Sequence, residues 1–292
     1  METGIIVKGI GGFYYVDVGD KIIECKARGH FRNKKLAPCV GDKVDISVDD
    51  GEKGTIDVIH PRLNCFIRPP VSNIDELIIV VSAKNPSPDL TFVDKMLIIA
   101  HLSNVKTKIC FNKIDLDDGE IQKLVELYNN IGYIAFSTSA TNNTGIDVIR
   151  DTLSDKTVAF SGFSGVGKSS LLNEIVQDDI METGSVSERL KRGKHTTRHV
   201  ELIKFRNGYI VDTPGFSMLD FPSYVTKDNL RDAFPEFASY EPSCKFSDCN
   251  HLGNSKVCAV CNCAENGEIS PVRYSNYKKF YEQLSLRKEW EK

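Results

Sequence analysis

Residues 162–169 read Gly162-Phe163-Ser164-Gly165-Val166-Gly167-Lys168-Ser169. This spacing suits a loop that cradles phosphate. The glycines let backbone N–H groups turn inward around phosphate oxygens, the Lys168 ammonium reaches the terminal phosphates, and the Ser169 hydroxyl can ligate Mg²⁺. Ser170 follows inside a stretch of helical spacing, 168–176, whose N-terminus adds its positive end. The residues before the loop, 158–161, form an apolar strand-like run. That strand–loop–helix context separates the motif from a chance glycine-rich turn.

Phosphates do not select a base. Asn112-Lys113-Ile114-Asp115 follows another apolar run, 108–111, and so lies at a strand's carboxyl end, where α/β sheets bind ligands. The Asp115 carboxylate can accept the N1–H and N2–H₂ hydrogens of guanine, a donor pair that adenine lacks. Asn112 can bond a ring edge and tie its loop to the phosphate loop, and the Lys113 stem can cover the base. Ser139 and Ala140, after the run 133–136, can place N–H groups near the guanine O6. Asp212-Thr213-Pro214-Gly215 also follows an apolar run; Asp212 can hold Mg²⁺ through water, and the Gly215 N–H can reach a γ-phosphate. The polar stretch 177–198, with His195-Thr196-Thr197-Arg198, reads as a mobile loop supplying a hydroxyl to Mg²⁺ when triphosphate is bound.

Two features depart from ordinary P-loop GTPases. Asn112 and Ser139 precede Gly162, so the base-recognition half has moved to the front and the domain is circularly permuted. Phe216 stands where Ras-like GTPases carry the Gln that orients the attacking water. Intrinsic hydrolysis is therefore expected to be slow, with His195 a candidate for the missing role and a solvated loop histidine the alternative.

A second cluster carries different chemistry. Five of the nine cysteines lie between positions 244 and 263, and Cys244, Cys249, His251 and Cys258 supply three thiolates and one imidazole. That set suits a closed, tetrahedral, structural zinc site, in a segment with little apolar content of its own. Cys261 and Cys263 are alternatives for the fourth ligand.

The elements that must position these groups follow from patterning. The 292 residues suggest about two domains by length. With 41% hydrophobic and 26% charged residues, the chain is not a disordered one. Its longest apolar runs, such as 77–81 and 96–100, fall far short of the roughly 20 residues of a membrane span. Met1-Glu2-Thr3-Gly4 does not begin a signal peptide, so cytoplasm is the expected compartment and a disulfide scaffold is not expected.

Strand-like runs at 4–10, 13–18, 22–27, 43–48 and 55–59 predict a small five-stranded barrel of OB type. Between the third and fourth lies a basic stretch holding Lys26, Arg28, Arg32, Lys34 and Lys35, with Phe31 inside it to stack on a base. Prolines at 61, 69 and 70 suggest a linker. Beyond it, strands alternate with helices at 90–101, 119–131, 146–153 and 168–176, which predicts a parallel sheet covered on both faces. Asn207-Gly208 reads as a hairpin turn, and 272–290 as a closing helix. The expected fold is thus multidomain α/β, with an OB-like barrel at 1–68, a circularly permuted P-loop GTPase domain at 69–222 and a zinc-binding domain at 223–292.

The chain resembles the circularly permuted, ribosome small-subunit-dependent GTPases of RsgA type. The resemblance rests on Arg68-Pro69-Pro70-x-x-Asn73-Ile74-Asp75, Asn112-Lys113-x-Asp115, the loop from Gly162, Gly193-Lys194-His195-Thr196-Thr197-Arg198, Asp212-Thr213-Pro214-Gly215-Phe216 and Cys-x4-Cys-x-His, in that order. It implies GTP hydrolysis stimulated by the small ribosomal subunit, late in that subunit's maturation, with rRNA contacts from the barrel and the zinc domain. It also implies Thr197 as the switch threonine on Mg²⁺ and one structural Zn²⁺ per chain. A monomer with no membrane partner is expected. The family usually has one residue fewer between the histidine and the last cysteine, and Cys261 and Cys263 are extra. A vestigial RNA-binding module is disfavoured by the intact Lys168, Ser169, Asp212 and Asp115. A small-molecule kinase is disfavoured by Asn-Lys-x-Asp and the flanking domains.

Overall fold

The computed structural model describes residues 1–29, 31, 37–49, 53–67, 69–183, 200–216 and 220–287, with side chains except at 177–183 and 212–216. Five strands open the chain: β1 (Glu2–Ile10), β2 (Phe13–Asp17), β3 (Ile22–Ala27), β4 (Lys43–Asp49) and β5 (Lys53–Ile59). They pair in the closed order β1-β2-β3-β5-β4-β1, antiparallel except for β3 with β5. Alternation puts Ile6, Val16, Ile23, Cys25, Val44, Ile46 and Ile56 into the barrel core, and closure leaves no open edge. Phe31 belongs to this core at 5% exposure. The expectation that it stacks on a base is corrected: an apolar ring is more stable among other apolar side chains than facing water.

The proline-marked stretch is not a free linker. It folds as a two-stranded ribbon, β6 (Cys65–Ile67) with β7 (Pro70–Ser72), docked on the barrel. Asp42, fully buried, gathers the Arg62 guanidinium at 2.7 and 2.8 Å, the Ser72 hydroxyl at 2.7 Å and the Cys39 N–H at 2.7 Å. Gly41 (φ +92°) lies so close that a Cβ there would strike the Ser72 carbonyl. Pairings between residues thirty apart are invisible to a local reading of prolines.

The second sheet holds β8 (Glu76–Ser82), β9 (Lys106–Asn112), β10 (Ile134–Ser137), β11 (Thr157–Ser161), β12 (Glu201–Phe205) and β13 (Gly208–Phe216). Their order is β10-β9-β8-β11-β13-β12, parallel but for β12. β12 also pairs with β1 at Lys8 and Glu201, joining sheet and barrel. The helices are α1 (Leu90–Leu102), α2 (Ile121–Asn130), α3 (Ile146–Leu153) and α4 (Lys168–Thr183). Successive side chains of β8 serve opposite faces. Leu77, Ile79 and Val81 pack in one core with Val93 and Met96 of α1 and Tyr128 of α2, while Ile78 and Val80 pack in the other with Ile149 of α3 and Leu171 of α4. No helix among the described residues is long and apolar enough to cross a membrane.

Two local expectations are corrected. Helix α4 runs to Thr183, beyond the expected end at 176, because no helix breaker intervenes before Gly184. The β12–β13 turn is Arg206-Asn207 rather than Asn207-Gly208, with Phe205 paired to Gly208 and Arg206 at φ +50°. Gly208 serves packing instead: a Cβ there would strike the Lys156 backbone.

The C-terminal part contains three short 3₁₀ turns, Arg231–Ala233, Pro235–Phe237 and Glu241–Ser243, then α5 (Ala259–Glu265) and α6 (Pro271–Ser285). Phe234, Phe237 and Tyr277 form its aromatic centre, with ring centroids 5.0–5.1 Å apart. Arg273 of α6, 1% exposed, bonds Asp94 of α1 at 2.6 Å and both Glu236 carboxylate oxygens at 2.8 and 3.0 Å. Asp94 also accepts from Tyr128 (2.9 Å) and Asn276 (2.6 Å), yet burial outweighs these donors and the Arg273 charge and leaves its pKa raised. Arg273→Ala would leave two carboxylates without their cation in a dry interior. We expect it to cost about 3–5 kcal/mol in guanidinium unfolding; unchanged stability would show that the pair is dispensable.

Candidate functional site

The phosphate loop joins β11 to α4 at the carboxyl end of the parallel sheet. Gly162, Gly165 and Gly167 have φ of +153°, +83° and +96°. A Cβ on Gly162 would strike the Val80 carbonyl, and one on Gly167 the Asn112 side chain. Glycine is required here by conformation and by space. The Lys168 ammonium donates to the carbonyls of Gly162 (2.7 Å) and Phe163 (2.8 Å), which hold it over the loop, and burial lowers its pKa. Such a partly desolvated cation gains strongly from an arriving anion. Val166 is buried beneath the loop, Phe163 packs on Phe92 with ring centroids 4.4 Å apart, and Ser164, Ser169 and Ser170 are exposed.

The base loop is tied to the phosphate loop by two side chains. Asn112, 1% exposed at the end of β9, donates to the Val166 carbonyl at 3.0 Å and accepts from the Thr138 hydroxyl at 3.2 Å. Lys113, in the left-handed region at φ +64°, donates to the carbonyls of Gly165 and Asn85, each at 2.6 Å. Its turn carries the chain through Ile114 into a short 3₁₀ turn (Ile114–Leu116) that presents Asp115 to solvent. Asp115 accepts from the Ser139 hydroxyl, which fixes one carboxylate oxygen. Ser139 and Ala140 follow β10, and Ser139 exchanges backbone bonds with Thr144 at 3.0 Å in both directions. Asn112, Lys113, Asp115, Ser139 and the loop from Gly162 thus share one edge of the sheet. Asn85 and Thr138 complete the tie. Asn85 carried no local signal, because it contributes only a main-chain carbonyl.

Asp212 and Gly215 lie within β13, which continues through them so that Phe216 pairs with Ser161 beside the phosphate loop. Their side chains, and all of His195 and Thr197, lie outside the described residues.

Four donor atoms converge in the C-terminal part. Those of Cys244, Cys249, His251 and Cys258 all lie within 4.8 Å of one another. A tetrahedral zinc with metal–sulfur bonds of about 2.3 Å requires sulfur–sulfur edges of about 3.8 Å and sulfur–nitrogen edges near 3.5 Å. The Cys244–Cys258 sulfurs are 3.9 Å apart, and His251 Nδ1 lies 3.5 Å from Cys258 Sγ and 3.8 Å from Cys244 Sγ. The cluster could hold such an ion. His251 adopts φ +57°, which turns Nδ1 to the thiols and Nε2 to Glu241 at 2.9 Å. A carboxylate on the far ring nitrogen fixes the tautomer that leaves Nδ1 free to ligate. Sequence reasoning missed Glu241, whose only signal is an acidic residue just ahead of the first cysteine. Cys261 points elsewhere, donating to the His251 carbonyl (3.3 Å) and meeting the Tyr274 hydroxyl (3.1 Å), while its N–H bonds Cys258 Sγ. Cys263 also lies outside the cluster.

On the barrel, Lys26 is exposed with its ammonium 5.0 Å from the Phe13 ring centroid, and Arg28 pairs with Asp57. Arg32, Lys34 and Lys35 lie outside the described residues.

Comparison with known proteins places this arrangement. The RsgA GTPase family profile matches residues 59–222, and the RsgA N-terminal domain profile matches residues 3–56. A Clostridium acetobutylicum protein named small ribosomal subunit biogenesis GTPase RsgA is 48% identical, covering 98% of this chain and 99% of its own. A Clostridium perfringens protein of the same name is 45% identical with the same coverage. Among solved structures, YloQ, described as a circularly permuted GTPase, matches with a TM-score of 0.81 at 35% identity over 99% of this chain and 96% of its own. YjeQ from Thermotoga maritima matches with a TM-score of 0.84 at 35% identity over 98% of this chain and 99% of its own.

Proposed function

The chain belongs to the RsgA GTPase family, and on that premise we propose that it binds GTP and GDP and hydrolyses GTP on the small ribosomal subunit, late in that subunit's maturation. The observation that carries the reading is the pair of ties between base loop and phosphate loop, Asn112 to Val166 and Lys113 to Gly165. Through them, the group that reads the base and the groups that hold the phosphates form one rigid receptor, although the base loop comes first in the chain.

In this reading Asp115 accepts from the guanine N1–H and N2–H₂, Ser139 and Ala140 approach O6, and residues 162–170 wrap the phosphates. Ser169 and Thr197 would hold Mg²⁺, with Asp212 acting through a water, and the ion would neutralise phosphate charge. Phe216 cannot orient a water, so turnover waits on the subunit, with His195 the candidate group. The labour divides among a barrel (1–68) and a zinc unit (223–292) that contact rRNA and the nucleotide domain (69–222) between them. The exposed Lys26 and Arg28, together with Arg32, Lys34 and Lys35, supply phosphate contacts. The protein works as a cytoplasmic monomer, alongside the particles it acts on.

Competition with a fluorescent guanine nucleotide tests the receptor. Wild type is expected to prefer GTP to ATP by at least about 10²-fold, since adenine offers the Asp115 carboxylate no N1–H and N2–H₂ pair and leaves it without partners in the bound complex. Asp115→Asn replaces an acceptor with a donor and is expected to lose that preference and to gain affinity for xanthosine triphosphate, whose C2 carbonyl accepts. Equal affinity of wild type for ATP and GTP would refute the reading.

A further inference from the structure

The joint between the barrel and the nucleotide sheet is polar and centres on one buried carboxylate. Lys204 and Tyr209 are cross-strand partners in the β12–β13 hairpin, so their side chains share a face. Both reach Asp17, the last residue of β2 and 6% exposed. The Tyr209 hydroxyl donates to Asp17 Oδ2 at 2.9 Å. The Lys204 ammonium lies 3.4 Å from the same oxygen and donates to the Gly19 carbonyl at 2.9 Å. The other Asp17 oxygen accepts the Gly19 N–H at 2.8 Å. Burial, and then the Asp17 carboxylate that accepts its proton, raise the Tyr209 pKa, so the hydroxyl stays a donor. The barrel holds β12 a second time at Lys8, whose backbone pairs with Glu201 and whose ammonium lies 3.6 Å from the Glu201 carboxylate. A cavity of about 670 Å³ lies between barrel and hairpin, lined on one side by Val7, Tyr15 and Ile22 and on the other by Leu202 and Ile203. A polar, incompletely filled interface between domains lets them move relative to one another.

The hairpin stands in the chain between the two segments expected to meet the γ-phosphate and Mg²⁺. β12 starts just after His195 to Arg198, and β13 runs into Asp212 and Gly215. Tyr209 precedes Asp212 by three residues, about 10 Å along a strand, and β13 is paired with both β12 and β11, so the clamp and Asp212 belong to one stiff element. We propose that Asp17 is a positioning residue for GTP hydrolysis, clamping the β12–β13 hairpin through Tyr209 and Lys204 so that a small subunit seated on the barrel sets Asp212 and Gly215 for turnover. This role rests on hydrolysis being activated by the subunit. Asp17 lies in a different domain from the phosphate loop and acts only through the hairpin. The subunit fixes the barrel, and the clamp carries that fixed position into β13. Such coupling runs through contiguous hydrogen-bonded networks and rigid elements. Nucleotide binding itself is made by the base and phosphate loops and does not need the clamp.

The test uses the full-length, metal-loaded chain as wild type, as Lys204→Met with Tyr209→Phe, and as Lys204→Arg, each checked for folding by circular dichroism. Fluorescent GDP binding, phosphate release without subunits, and phosphate release across a titration of purified small subunits are measured. The double variant is expected to bind GDP, to hydrolyse GTP alone and to hold its KM for subunits within about twofold of wild type, while its rate at saturating subunits falls about tenfold, inside the roughly 2- to 30-fold by which residues along a coupling path alter it. Lys204→Arg keeps the charge and the donors and is expected to keep the stimulated rate. Tyr209→Phe alone, which removes a single hydroxyl, is expected to show the same split at a smaller size. An unchanged saturated rate in the double variant, beside a stimulated wild type, would overturn the clamp alone. So would a raised KM for subunits at an unchanged saturated rate, which marks a docking role only. A wild type that subunits leave unstimulated would overturn both the clamp and the activation it depends on.

Discussion

Replacing Lys168 with alanine is expected to abolish measurable GTP turnover and weaken triphosphate binding while leaving the fold in place. The ammonium is held over the loop by two backbone carbonyls and is half-removed from water, so its charge is already positioned for the terminal phosphates. In phosphoryl transfer the protein contributes chiefly by positioning and charge stabilisation. Removing one such preorganised group typically costs about 10²–10³ in rate. The slow intrinsic rate expected from Phe216 places that loss below detection. The measurement is phosphate release by purified Lys168→Ala, with far-ultraviolet circular dichroism as the control for folding. Wild-type turnover in the folded variant would place the chemistry elsewhere.

The second large effect concerns the C-terminal metal. Elemental analysis is expected to find one zinc per chain, and its removal by chelator, or by Cys249→Ser, should unfold the part beyond about residue 223. Structural zinc contributes about 10–16 kcal/mol in small domains at neutral pH. Here the cluster joins a segment of short turns whose aromatic centre includes Phe237, packed edge-on against His251 at 5.6 Å. Limited proteolysis should then cut the C-terminal part ahead of the barrel and nucleotide domain, whose Asp94 loses its Arg273 and Asn276 partners. Cys258→Ser should release the ion and Cys261→Ser should keep it, since Cys261 bonds the His251 carbonyl and Tyr274 instead. Freshly purified protein without bound metal would refute the site.

Much of this was legible in the sequence because the chemistry is local. The glycines of 162–167 encode their own backbone conformations, and the unbroken apolar run from Leu77 to Val81 encodes a strand buried on both faces. The barrel's five strands were visible from β-branched runs and turns. What stayed hidden depends on partners distant in the chain. The ribbon at 65–72 looked like a linker because Asp42, which receives Arg62 and Ser72, lies twenty and thirty residues away. Phe31 looked like an exposed ring within a basic stretch because its charged neighbours in sequence hide the core residues it packs with in the fold. Glu241 and Arg273 act through contacts that only the folded C-terminal part creates.

This receptor is expected to hydrolyse GTP in response to the small ribosomal subunit. The deciding experiment is steady-state phosphate release by the purified chain alone, with purified small subunits and with purified large subunits. We expect a slow rate alone, a rise of at least about tenfold with small subunits, within the range by which partners accelerate P-loop GTPases, and no rise with large ones. An unchanged rate on adding small subunits, or equal stimulation by both, would rule out a subunit-activated GTPase.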